Sequence, residues 1–139
     1  VAIRVSMKLV VILSVALAVL GCEKDETLSG YGAADKVWSL SELDGKPFDA
    51  QATITFPEQG KIAGQAPCNR YFGAQEKPYP WFAATGVGAT RMACAELGAE
   101  TKFFQALEAM SLAEVLGDVM ILSNEAGRQM VFKAMSQSE

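Results

Sequence analysis

The chain of 139 residues contains no histidine. That absence removes the usual general base at neutral pH, and with it Ser-His-Asp and Cys-His activation of a nucleophile. It also removes the commonest zinc ligand, and three cysteines alone do not make the four ligands of a structural zinc site. Basic charge is scarce as well: 12 Lys and Arg stand against 16 Asp and Glu, a formal net charge of −4. A domain of that sign without a basic stripe is a poor partner for nucleic acid, because neutralised phosphates supply most of that affinity. The sequence has no internal repeat, no glycine-rich phosphate loop opening a helix and no recognisable pair of catalytic carboxylates. It also has no apolar run of the roughly 20 residues that a spanning helix requires. No metal, no cofactor and no enzymatic activity are therefore expected.

What is present begins with the first two dozen residues. Arg4 and Lys8 precede a run from Leu9 to Leu20 that is apolar but for Ser14 and ends in Val19-Leu20-Gly21-Cys22. The run is about 18 Å long as a helix, too short to span a bilayer. A basic start, a short apolar core and small residues at the exit make a secretory signal peptide. The VLGC sequence resembles the lipobox of bacterial lipoprotein signals, whose cysteine is acylated and becomes the new N-terminus. The resemblance implies a signal over residues 1–21, lipidation of Cys22 (with palmitate among the acyl groups) and anchorage to a membrane through that lipid. Glu23 after the cysteine resembles sorting to the periplasmic face of the outer membrane. Loss of Arg4 and Lys8 with the signal leaves 10 basic side chains against 16 acidic, about −6, so attachment is expected from the lipid and not from charge.

In an oxidising compartment Cys68 and Cys94 are the remaining pair, and a structural disulfide is expected between them. It would close a loop of about 26 residues, worth about 3.5 kcal/mol in the chain-entropy model. The spacing is far longer than the Cys-x-x-Cys of redox-active pairs. The alternative is a thiol-dependent enzyme or redox protein built on a free Cys68, with Arg91 lowering its pKa.

Residues 22–35 are acidic, polar and punctuated by glycine, which reads as a lipidated N-terminus followed by a flexible tether of about 20 Å reach. The globular domain is expected over residues 36–135, with a tail at 136–139. Short alternating runs broken by turn residues point to antiparallel strands: Val37–Leu40 before the turn Asp44-Gly45, Ala52–Phe56, Lys61–Gly64 after a Pro57–Gly60 turn, Tyr71–Gly73 and Trp81–Ala83. Gly86 and Gly88 read as turn or bulge residues. From Ala95 to Met110 the period changes to that of an amphipathic helix, with Phe103 and Leu107 as its main core anchors, Phe104 nearer the edge, and Glu96, Glu100 and Glu108 on the polar side. Alternation then returns in three runs, Ala113–Leu116, Val119–Leu122 and Met130–Phe132, separated by turns at Gly117-Asp118 and Asn124–Gly127. The order describes an α+β fold: a single domain with a helix covering one face or end of a curved antiparallel sheet.

Ordered pieces of this pattern resemble the META domain family, which includes the HslJ-like heat-shock lipoproteins. Trp38, Leu40 and Gly45 match its opening, and Phe56 its phenylalanine-ending strand. Cys68, Asn69, Tyr71 and Gly73 match Cys-Asn-x-Tyr-x-Gly, while Thr90, Met92 and Cys94 match Thr-x-Met-x-Cys. Glu100 and Phe103 match the helical Glu-x-x-Phe, and Leu122, Gly127 and Phe132 the closing hairpin. The resemblance implies a cracked, barrel-like antiparallel sheet around one helix, in an envelope-associated module without catalysis. Asn69, Thr90 and Arg91 are the polar candidates for a binding or structural motif: Asn69 in a turn, Thr90 as strand residue or cap, and Arg91 either facing a ligand or pairing with a carboxylate. The function expected is binding or support of a hydrophobic ligand or an envelope protein, in stress tolerance. A purely structural envelope role is the remaining alternative.

Overall fold

Alternating sequence becomes strand wherever a turn residue can close it, and three such closures build most of the molecule. In the computed structural model, which describes residues 23–136, β1 (Trp38–Leu43) turns into β2 (Lys46–Pro47) through Asp44 and Gly45, both at positive φ. A two-residue turn of that kind matches the twist of the strands it joins. The segments β7 (Leu112–Leu116), β8 (Val119–Ser123) and β9 (Gln129–Ala134) form a meander, with Leu116 paired to Val119 across Gly117-Asp118. Strand β9 returns to β1, pairing Phe132 with Leu40. With β3 (Thr53–Ile54) on the far side of β1, these strands make a six-stranded antiparallel sheet ordered β2-β1-β9-β8-β7.

The second sheet has three strands, β4 (Lys61–Gln65), β5 (Arg70–Ala74) and β6 (Thr85–Ala89). It joins the first at one place. Thr55 and Ala63 exchange backbone hydrogen bonds of 2.7 and 3.1 Å, and Gln65 N–H donates to Thr53 Oγ1 at 3.0 Å. The expected curved, cracked barrel-like antiparallel sheet is present as two antiparallel sheets meeting at a β3–β4 seam. The helix α1 (Leu97–Ala109) packs against both, giving one α+β domain.

Period and burial agree. On β8 and β9, Met120, Leu122, Met130 and Phe132 point inward, to meet Trp38 and Leu40 of β1. The helix contributes Phe103, Ala106 and Leu107, all fully buried, while Phe104 is half-buried at the edge. Among the described residues no helix is long and apolar enough to cross a membrane.

Three expectations need correction. The segment read as a flexible tether is packed from Thr27 onward. Leu28, in a 3-10 turn over Leu28–Tyr31, and Ala33 are fully buried, and Trp38 Nε1 donates to Ala33 O at 3.0 Å. Two apolar side chains in a polar stretch suffice to dock it, because Asp25 organises the turn by accepting from Thr27 N–H at 2.8 Å and from the Ser29 hydroxyl. Trp81–Ala83 is not a strand: Pro78 and Pro80 lack the N–H groups a ladder needs, and a lone bridge from Trp81 to Leu112 remains. Conversely, the Gly86–Gly88 stretch lies within strand β6. Gly86 at φ +58° marks a register shift against β5, so it is the expected bulge but inside a ladder.

Candidate functional site

The polar candidates converge where the β4–β5 turn meets the loop entering α1. Cys68 and Cys94 are joined by a disulfide, with Cα atoms 5.7 Å apart. Beside it Asn69 uses its whole amide. Its Nδ2 donates to Met92 O at 3.0 Å and to Glu100 Oε2 at 2.8 Å, and its Oδ1 accepts from Thr90 Oγ1 at 2.9 Å and from Met92 N–H at 2.6 Å. An amide has two donors and two acceptor lone pairs, so nothing is left over for a ligand.

Glu100 was marked by the family pattern, but its role was missed. Placed on the polar side by composition, it is buried, and its Oε1 accepts from the backbone N–H groups of Cys68 at 3.0 Å and Asn69 at 2.8 Å. The signal was available in the spacing: Glu100, Phe103 and Leu107 stand at i, i+3 and i+7 and share one face. A carboxylate accepting several N–H bonds holds a tight turn without any cation, because charge-assisted bonds are the stronger kind. The disulfide, Asn69 and Glu100 therefore form one staple that clamps the Thr90–Glu96 loop to the β4–β5 turn.

Asn69 and Thr90 are brought together; Arg91 is not part of the staple. Its side chain is exposed and, among the described residues, makes no ion pair or hydrogen bond, so of the two roles open to it the pairing with a carboxylate is not seen. The thiol alternative required a free, exposed Cys68; this sulfur is bridged, and the residue is buried. Cys22 lies outside the described residues. Among the described residues no three His, Cys, Asp or Glu side chains gather as metal ligands.

Next to the staple an open, mostly apolar groove of about 560 Å³ runs over the β3–β4 seam, with Gly64 and Tyr71 at its floor and Phe72, Arg70 and Thr90 at its rim. Gly64 is required there: a Cβ would lie 2.1 Å from Thr53 O and 2.8 Å from Tyr71 Oη. The Tyr71 hydroxyl donates to Thr53 O at 2.6 Å, and burial pushes its pKa well above the ordinary tyrosine value. That phenol stays neutral and serves as a strut. Phe72 is 64% exposed and lies over Gly88, within 3.2 Å of where a Cβ would stand. A larger concavity, about 710 Å³, lies between the β1–β2 hairpin and the start of α1, but Asp44, Lys46, Asp49, Glu96 and Lys102 line it with both signs of charge.

Among solved structures, an NMR structure of a protein from Burkholderia xenovorans matches with a TM-score of 0.63 at 23% identity, over 78% of this chain and 88% of that one. A crystal structure of a DUF4847 family protein from Bacteroides vulgatus matches with a TM-score of 0.61 at 14% identity, over 79% of this chain and 99% of that one. These likenesses concern the fold alone. No curated protein sequence matches the chain. The family model of the META domain matches residues 32–137, most of the chain and every element from β1 to β9. The chain belongs to the META domain family.

Proposed function

We propose that this META domain is a lipid-anchored module of the bacterial envelope, held through an acylated Cys22 at the periplasmic face of the outer membrane, where it binds and does not catalyse. The groove is the observation that carries the binding half of this reading. It is open, lined mainly by apolar surface, and carries Phe72 exposed at its rim. An apolar groove with few polar groups suits a hydrophobic ligand or a hydrophobic segment of an envelope protein. The staple beside it supports the reading in another way. Asn69 and Glu100 bond to each other, to Thr90 and to the backbone of Cys68, Asn69 and Met92, which suits them to hold the groove's shape. The resemblance to heat-shock lipoproteins adds to this reading a part in stress tolerance, as support of envelope components whose apolar surface becomes exposed.

Native mass spectrometry of protein purified from membranes under mild conditions tests the binding half. The expected result is an added mass that Phe72→Ser removes while the fold and melting temperature are kept. Bare protein under all mild conditions, in both forms, would overturn it. Cys22→Ser tests the anchor: it should yield an uncleaved precursor or a soluble form that no longer partitions into detergent.

A further inference from the structure

The docked N-terminal segment alters what an anchor at Cys22 would do. Lys24 Nζ lies 5.6 Å from the centre of the Tyr31 ring, and the backbone is fixed to the domain at Glu26, four residues after the cysteine. Four extended residues reach at most about 14 Å. An acyl chain on Cys22 therefore begins beside one particular face of the domain, not at the end of a long leash.

That face is aromatic. Tyr31, 40% exposed, stacks on Tyr79 with ring centres 4.6 Å apart. Tyr79 N–H donates to Glu26 O at 2.7 Å, and Thr27 bridges to Pro78, so the segment nearest the anchor is stitched to the Pro78–Trp81 loop. The Trp81 backbone N–H donates to Pro78 O at 2.8 Å, and the residue is 55% exposed beside a shallow cavity it shares with Lys77 and Pro78. Tryptophan and tyrosine have an apolar body and a polar tip, which is why they gather at membrane–water interfaces.

We infer that the face bearing Tyr31, Pro78 and Trp81 rests on the bilayer that holds the acylated Cys22, so that the domain is seated on the membrane and not suspended from it. The inference rests on the anchor proposed above. Its chemistry is interfacial, not electrostatic. Lys24 and Lys77 are outnumbered by Glu23, Asp25, Glu26 and Glu76, so anionic headgroups exert no net pull. The same carboxylates keep the contact shallow, with the rings at headgroup depth.

The chain's two tryptophans provide the test, since Trp38 is fully buried and Trp81 is exposed. The full mature protein is purified from membranes, its acyl groups are verified by mass, and it is reconstituted in phosphatidylcholine vesicles carrying a quencher at headgroup depth or near the chain ends. The expected result is loss of the Trp81 emission with the shallow quencher and little with the deep one. Trp81→Phe should abolish the quenching, leaving Trp38 emission intact. Added phosphatidylglycerol or high salt should leave the quenching unchanged. Acylated, vesicle-bound protein whose emission is no more quenched than that of Trp81→Phe overturns the seating and leaves the anchor standing. A purified protein without acyl mass on Cys22 overturns the anchor, and the seating with it.

Discussion

The two sheets of this domain are held together by different forces. The six-stranded sheet has one inner face of Trp38, Leu40, Met120, Leu122, Met130 and Phe132, all in the core, and short turns do the rest. The three-stranded sheet has less to bury: Ile62 and Tyr71 point inward, while β6 reads Thr-Gly-Val-Gly-Ala and Phe72 is left in solvent. It is fastened by a covalent bond, a buried carboxylate and a fully used amide. Apolar burial is non-directional and needs area, whereas a disulfide and charge-assisted bonds hold a thin element whose outer surface stays open. A groove is affordable where cross-links replace core.

The sharpest way to break the comparison is through the helix that serves both sheets. Phe103→Ala and Leu107→Ala should each cost about 2–5 kcal/mol, because the side chains are fully buried and leave a cavity. Phe104→Ala, half-buried at the edge, should cost clearly less; melting temperatures of the three variants rank them. Opening the disulfide comes next. Cys68→Ala and Cys94→Ala should each cost about 2–5 kcal/mol, with the double variant little worse than either, since all three remove one bond. Hydrogen exchange should then rise around the Thr90–Glu96 loop and β4–β6 well before β8 and β9. Uniform loosening of both sheets would contradict the division of forces proposed for them.

Smaller effects sharpen the comparison. Glu100→Gln places an amide where two backbone N–H groups and the Asn69 amide all donate, so one oxygen must serve in place of two. The expected loss is about 1–3 kcal/mol, and a cycle with Asn69→Ala should show strong coupling because the two share a bond. The smallest effect belongs to the large sheet. The Arg128 guanidinium, 3.0 Å from Asp44, and then the Gln129 N–H hold the Asp44 carboxyl below its ordinary value of 3.8. A depressed carboxyl contributes stability that is present above that ordinary value and lost as pH falls through the lower, folded one. The pair is partly exposed and worth less than about 1 kcal/mol, so Asp44→Asn should slightly flatten the acid limb of the stability profile and change little at neutral pH.

Much of the large sheet was legible in the chain. The Asp44-Gly45, Gly117-Asp118 and Asn124–Gly127 turns, the alternation on β8 and β9, and the helix with Phe103 and Leu107 inward all depend on neighbours a few residues apart. The staple was legible in part: Cys68, Asn69, Thr90, Cys94 and Glu100 all fell on the family pattern, but by composition Glu100 read as one more surface glutamate and its inward role did not show. Strand β6 was unreadable because a strand rich in glycine has no alternation to show.

By itself the sequence determined what local chemistry can determine: which stretches alternate, which turn, where a helix period begins, and that no histidine chemistry is available. Tertiary structure alone decided that Leu28 and Ala33 are core, that Glu100 is an internal acceptor, that Arg91 lies outside the staple, and that the β3–β4 seam leaves a groove. Each of these depends on which distant surfaces meet. Burial and hydrogen-bond satisfaction belong to that meeting, and no window of neighbouring residues contains it.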